Sequence, residues 1–473
     1  ENVMSDKKEK SVGLKLEEKL GYKKRNFFEV SDEIKIKKAF DYADGYMAFL
    51  DNAKIEREAV KYAEGYAKSR GFTAYKFGEK LVAGDKKYYV NRGKSFIMFK
   101  VGSEDMAENG IKILASHIDS PRLDIKQVPL YEDTGMAFLK THYYGGIKKY
   151  QWTAIPLALH GTVILENGEK VDITVGEDEK DPVFYINDLL PHLAREQVTK
   201  PMASAIDGES LNVLVGGMPF KDDDVKEKVK LTVLNKLNEF YGMNETDFIS
   251  AELCVVPAFK ARDIGFDRSL IGGYGHDDKV CSYPALTALG ETKDTLHTVV
   301  VVLADKEEIG SEGNTGMQCG IFSDIVDFLA VSQNKPASIV RQNSKCLSAD
   351  VTAGFDPNFA NVYEKKNASI VSCGTALCKF TGSGGKGGSN DASAEFVGYV
   401  RKIFDDAKVN WQMAELGKVD AGGGGTVAKY ISKLNIDTID IGVPVISMHS
   451  PYEVVSKADL YSTYEAFVAF IEK

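Results

Sequence analysis

The chain has 473 residues, of which 44% are hydrophobic and 27% charged, the make-up of a globular protein with a large core rather than a disordered or fibrous one. Its formal charge of −10 argues against nucleic acid or an anionic membrane as the main partner, and no apolar run approaches the roughly 20 residues that cross a bilayer. Length alone suggests about two or three domains.

The opening, ENVMSDKKEKSVGLKLEEKL, is charged and lacks an apolar signal core, so no secretory peptide is expected; Met4 is a candidate natural start. From about residue 31 to 70 the spacing of Ile36, Ala39, Phe40, Ala43, Met47 and Leu50 predicts helix, with Ser31 as N-cap and Gly71 as stop. Three strand-like pieces follow: KKYYVNRG, KSFIMFKVG and IKILASHID. After about residue 123 the texture changes. HGTVILENGEKVDITVG alternates around Asn167-Gly168, a strong hairpin signal, and DDDVKEKVKLTVLNKLNEFYG reads as one amphipathic helix. From 268 onward, apolar strands (TVVVVLA, TIDIGVPVI) alternate with helical stretches (FSDIVDFLAVSQ, SAEFVGYVRKIFDDA, GTVAKYISKLN), the pattern of a largely parallel sheet with helices on its faces. The six cysteines all lie in the second half and form no Cys-x-x-Cys pair; they read as reduced core residues and point to the cytoplasm.

Five short stretches carry candidate metal ligands. KILASHIDS ends an apolar strand in His117 and Asp119, alternate residues that face one side. A carboxylate beside a ligating imidazole fixes its tautomer. VVVVLADKEEIG ends in Glu307 and Glu308, SKCLSADVTAG in Asp350, and His449 lies just past DTIDIGVPVIS. In open α/β sheets ligands bind beyond the carboxyl ends of the strands, where these four stretches converge. GYGHDDKVCS adds Asp277 and Asp278 in a glycine-flanked turn before a helix. Two histidines and three carboxylates suit zinc-like ions, and a bridging Asp277 lets five residues serve two metals. Paired ions lower the pKa of a shared water towards about 7, and the glutamate left over can take its proton.

At these residues, in ASHIDSPRL, DKEEIGSEG, LSADVTAGFDPNF and SMHS, the chain resembles the aspartyl aminopeptidase family, dinuclear zinc exopeptidases that include the yeast vacuolar aminopeptidase. The resemblance implies that His117, Asp277 and Glu308 hold one zinc and that Asp277, Asp350 and His449 hold the other. It makes Glu307 the general base and gives Asp119 the orientation of His117. Spacing by itself does not choose between Asp277 and Asp278. The implied fold is a zinc-exopeptidase-like α/β domain with a mixed, mainly parallel sheet, made from residues 1–122 and 268–473. A smaller β-rich dimerisation domain (123–267) interrupts it. The implied protein is a cytoplasmic homo-oligomer, dimer-based and up to a tetrahedral dodecamer, acting on peptides with a free N-terminus. Two Zn²⁺ per subunit are implied, with Co²⁺ or Mn²⁺ as substitutes. In aspartyl-specific relatives a Trp-His-Thr-Trp stretch follows a Gly-Gly pair. YYGGIKKYQWTAIP keeps Trp152 without that histidine, unless Tyr150 or Gln151 takes its place, and vacuolar relatives prefer neutral apolar residues, so the resemblance leaves acidic and neutral N-terminal residues both open.

Two glycine-rich loops remain. DAGGGGTVAKYISKLN sets Gly424 and Gly425 before a helix, where backbone N–H groups can bind an anion or a carbonyl, or the loop is a plain turn. In TGSGGKGGSND, Lys386 is a candidate for an acidic side chain or a backbone carboxylate, with a solvated lysine as the alternative. His276 adjoins Asp277 and is a candidate supporting residue. No Gly-x-Ser-x-Gly elbow occurs. The rivals to an aminopeptidase are a related dinuclear carboxypeptidase or N-acyl deacylase, and, in another class, a non-catalytic assembly or cargo-binding protein.

Overall fold

The structure, a computed structural model, describes residues 10–293 and 296–473; residues 1–9, with Met4, lie outside the described residues. The strand Thr298–Ala304 is buried along its whole length, as a run of valines with apolar layers on both sides should be. It lies parallel to Ile111–His117, which is parallel to Lys345–Ala349, itself parallel to Asp437–Gly442. These four form the middle of a nine-stranded mixed sheet. Ser95–Lys100 extends it on one side and Thr375–Cys378 on the other, both antiparallel to their inner neighbours.

Side chains alternate between the faces. Leu114, Val301, Leu347 and Ile439 pack with residues of the helices Glu33–Asn52, Glu56–Ser69, His276–Glu291 and Lys457–Glu472. Ile113, Val300, Val302 and Cys346 pack on the other face with residues of Ile321–Ser332 and Ala428–Ser432. The result is the expected α/β class. Among the described residues, no helix is long and apolar enough to cross a membrane.

Residues 122–257 build a second, seven-stranded antiparallel sheet with its own core, in which Trp152 is fully buried. Leu157–Ile164 and Lys170–Val175 pair around Asn167-Gly168, where Gly168 takes a φ of 84° that a glycine adopts without strain. Helix Lys228–Tyr241 packs Val229, Val233 and Leu237 on this sheet, and it starts after the Asp222–Asp224 run instead of including it.

Two boundaries differ from the sequence reading. The stretch from 31 to 70 is two helices, Glu33–Asn52 and Glu56–Ser69, and the cap of the first is Asp32, whose side chain accepts from the Lys35 N–H, not Ser31. Between them Lys54 is buried, its ammonium donating to the carbonyls of Pro257 and Phe259, a tertiary contact that local spacing does not show. The strand Arg262–Ile264 pairs with Leu270–Gly273 in a five-stranded sheet that also holds Glu453–Ser456, Pro444–Ile446 and Thr352–Ala353.

Candidate metal centre

The strand Ile111–His117 delivers His117 to the carboxyl edge of the central sheet, almost fully buried. Its Nδ1 lies 3.0 Å from the Asp119 carbonyl and 3.3 Å from Asp119 Oδ1, which leaves Nε2 facing the site. Nε2 is 3.2 Å from Asp277 Oδ1, 3.6 Å from Asp350 Oδ1 and 3.8 Å from Glu307 Oε2, with no hydrogen-bond partner. His449 mirrors it. Its Nδ1 meets the Gly146 carbonyl at 2.7 Å, and its Nε2 lies 3.1 Å from Asp277 Oδ2 and 3.4 Å from Glu308 Oε2. The two oxygens of Asp277 therefore divide between two imidazoles.

The expected role of Asp119 is wider than orienting one ring. Its carboxylate also accepts the N–H groups of Glu307 and Glu308, at 3.1 Å each, and the Tyr144 hydroxyl at 2.8 Å. That grip fixes the short turn Glu307–Ile309. Asp278 takes the His117 N–H on one oxygen at 3.1 Å, whereas the two oxygens of Asp277 lie 3.2 Å from His117 Nε2 and 3.1 Å from His449 Nε2.

The charge balance points to cations. Burial and Asp350 push Glu307 up to about 8, burial and Asp277 push Glu308 up, and burial and Asp350 push Asp278 up. Burial opposes protonation of His449, yet Asp277 and Glu308 outweigh it and raise it to about 11. Among the described residues, His117 Nε2, Asp277 Oδ1, Asp278 Oδ1 and Glu308 Oε1 are all buried without hydrogen-bond partners. Orphaned nitrogen and oxygen donors in a cluster short of positive charge fit divalent ions of the zinc type. Ligand atoms of His117, Asp277 and Glu308 lie within 4.8 Å of one another, as do those of His117, Asp278 and Asp350.

A cleft of about 320 Å³ opens from this cluster. Gly424 and Gly425 line it, but the helix behind them starts only at Ala428 and runs five residues, so they offer loop backbone rather than a helix terminus. Two other candidates lie elsewhere. Lys386 is outside the cleft lining: it is exposed, within 3.3 Å of Asp391 and 4.1 Å from the Phe380 ring centroid. His276 is fully buried beside Asp277 with both ring nitrogens occupied, by Tyr46 at 2.7 Å and the Ile271 carbonyl at 3.2 Å. Burial pushes it down to about 3, so it is a neutral core imidazole.

Sequence reasoning missed Glu453. Its carboxylate accepts the Asp277 N–H at 3.1 Å and the His449 N–H at 2.8 Å, fixing two candidate ligands at once. It opens the strand Glu453–Ser456, four residues past His449, and no local pattern marks it as part of the site. Tyr144 and Gly146 were missed as well, because both belong to the second sheet or the loop leaving it.

A profile of the Aminopeptidase I zinc metalloprotease (M18) family matches residues 49–471. The chain is 48% identical over 457 residues to a probable M18 family aminopeptidase 1 of Clostridium acetobutylicum, covering 94% of this chain and 98% of that one. A crystal structure of an M18 family aminopeptidase from Thermotoga maritima shares the fold with a TM-score of 0.91 at 41% identity, covering 96% of this chain and all of that one. A yeast mApe1 dodecamer superimposes with a TM-score of 0.74 at 22% identity, over 91% of this chain and 96% of its own. With its histidines and carboxylates gathered at the carboxyl edge of the sheet, the chain belongs to the M18 family of zinc metalloaminopeptidases.

Proposed function

We propose that each chain holds two divalent cations at this cluster and uses Glu307 as the general base that releases the N-terminal residue of a peptide. The observation that carries the reading is the split of Asp277 between His117 and His449, at 3.2 and 3.1 Å. The shortest contacts favour His117 with Asp350 and His449 with Glu308, each sharing Asp277. This grouping exchanges Asp350 and Glu308 relative to the one the resemblance implies. When bound, a zinc pair supplies Lewis-acid charge and lowers the pKa of a water from about 16 towards about 7.

The chain's own groups do the rest. Asp119 and Glu453 fix the backbones that carry Glu307, Glu308, Asp277 and His449. Glu307 faces the cleft, takes the proton of the attacking water and returns it to the departing amine. Glu307→Ala is expected to lower kcat by about 10²–10⁴-fold with both metals retained, read by turnover and by metal content. Loss of metal in that variant would make Glu307 a ligand and reverse its roles with Glu308. N-blocked peptides test the rival chemistry: an aminopeptidase leaves them intact, whereas a deacylase or carboxypeptidase cleaves them.

The second sheet is assigned a role in dimerisation, within a homo-oligomer that reaches a dodecamer. Exposed apolar side chains at Leu189, Leu190, Leu193, Val198 and Met202 and the dodecameric yeast relative support it. Six unpaired cysteines, five of them buried, support a cytoplasmic setting.

A further inference from the structure

The cleft that starts at the candidate ligands contains a second acid that no metal contact accounts for. Asp440 lines it from the strand Asp437–Gly442 and is only 3% exposed. One carboxylate oxygen accepts the Thr426 hydroxyl; the other is buried and has no partner. Among the described residues no cation pairs with it, and the charged neighbour that acts on it, Asp350, has the same sign. Burial and the like charge of Asp350 push Asp440 up to about 7, so a cation brought against it would favour its ionised form.

Its place fixes what that partner can be. Asp440 is the register partner of Ser348, two residues before Asp350. Along the strand that separation is roughly 7 Å, the reach of an extended four-carbon side chain. Beside the two acids the cleft lining includes the apolar side chains of Val351, Leu416, Ile441 and Met448, with Thr352, Thr381 and Thr426 as polar members. An apolar passage ending on an unpaired acid is complementary to a methylene stem ending on a cation. It also repels an acidic side chain and wastes its carboxylate on a neutral one.

We propose that Asp440 reads the side chain of the substrate's first residue and that the cleft selects peptides beginning with lysine or arginine. The inference rests on the aminopeptidase reading of the same site and adds the substrate class to it.

The test uses the full chain loaded with zinc and the p-nitroanilides of lysine, arginine, norleucine, Nε-acetyl-lysine and glutamate. Norleucine keeps the stem without the charge, and acetylation removes the charge from lysine itself. The expected kcat/KM for lysine exceeds that for either neutral analogue by at least about tenfold, with glutamate lowest. Asp440→Asn is expected to lower the lysine-to-norleucine ratio by at least about tenfold, through a raised KM for lysine. Equal rates on lysine and norleucine in the unaltered protein overturn the proposal even if the variant does not fold, and leave the aminopeptidase reading standing. An unchanged ratio in a folded Asp440→Asn does the same. Inactivity on every free-amine substrate overturns the underlying reading, and the specificity with it.

Discussion

Glu453 accepts one N–H from Asp277 and one from His449, residues far apart in the chain that must meet within a few ångströms. Burial and the Asp277 charge push its carboxyl up to about 8, so it is a costly group to keep there, and its two hydrogen bonds are its evident use. Groups that hold ligands in place commonly tune metal affinity as strongly as weaker ligands do. Glu453→Gln is therefore expected to weaken metal retention by about 10–100-fold, measured by competition against a chelator. Retention equal to that of the unaltered protein would reduce Glu453 to a packing residue. At this scale the candidate ligands were legible and their supports were not. His117, Glu307, Glu308 and Asp350 each end an apolar run, which is a local signal. Glu453, Tyr144 and Asp440 act through space, and no spacing in the sequence announces that. His276 shows the converse: adjacency to Asp277 suggested a place in the site, while the backbone turns its ring into the core against Tyr46.

Elements are positioned by contacts that periodicity does not encode. The two helices between Glu33 and Ser69 form one continuous pattern in the sequence, and Lys54 interrupts it because its ammonium reaches Glu177 and two carbonyls near the second sheet. Glu58 closes the break by accepting the Lys54 N–H at 3.1 Å. Across the same seam His160, on Leu157–Ile164, lies 2.6 Å from Glu58 and 2.9 Å from Glu177, and Lys260 reaches Glu177 at 2.8 Å. Burial opposes the charged imidazole, yet Glu177 and Glu58 outweigh it and raise His160 above its ordinary 6.5. Burial likewise opposes the Glu177 carboxylate, but His160 and Lys54 draw it down to about 2. A raised histidine stabilises the fold fully below 6.5 and loses that contribution as pH climbs through its folded value. The depressed Glu177 stabilises above 4.5 and loses it as pH falls towards about 2. His160→Gln is therefore expected to lower Tm most near pH 6, with the gap to the unaltered protein closing as pH rises. Thermal unfolding across pH 5 to about 9 checks this, and a gap that widens with pH would contradict it.

For the molecule as a whole, the second sheet does two things. It reaches into the site, since Tyr144 holds Asp119 and the Gly146 carbonyl meets the His449 ring. The segment between its strands Tyr185–Ile186 and Val213–Gly216 also presents exposed apolar side chains from Leu189 to Met202, a surface of the kind that oligomers bury. Light scattering is expected to return a mass that is an even multiple of the 52.0 kDa chain, and a monomer at micromolar concentration would remove the assembly from the proposal. The sequence by itself determined the α/β class and the hairpin at Asn167-Gly168, and it marked the stretches that carry the candidate ligands, because strand and turn preferences and the polar end of an apolar run are local properties. Tertiary structure alone decided which oxygen of Asp277 faces which histidine, that Lys386 pairs with Asp391 outside the cleft, and that Asp440 lies buried with no cation beside it among the described residues. Those facts depend on the packing of strands distant in the chain, where distance and desolvation, rather than spacing along the backbone, set what a charge can reach.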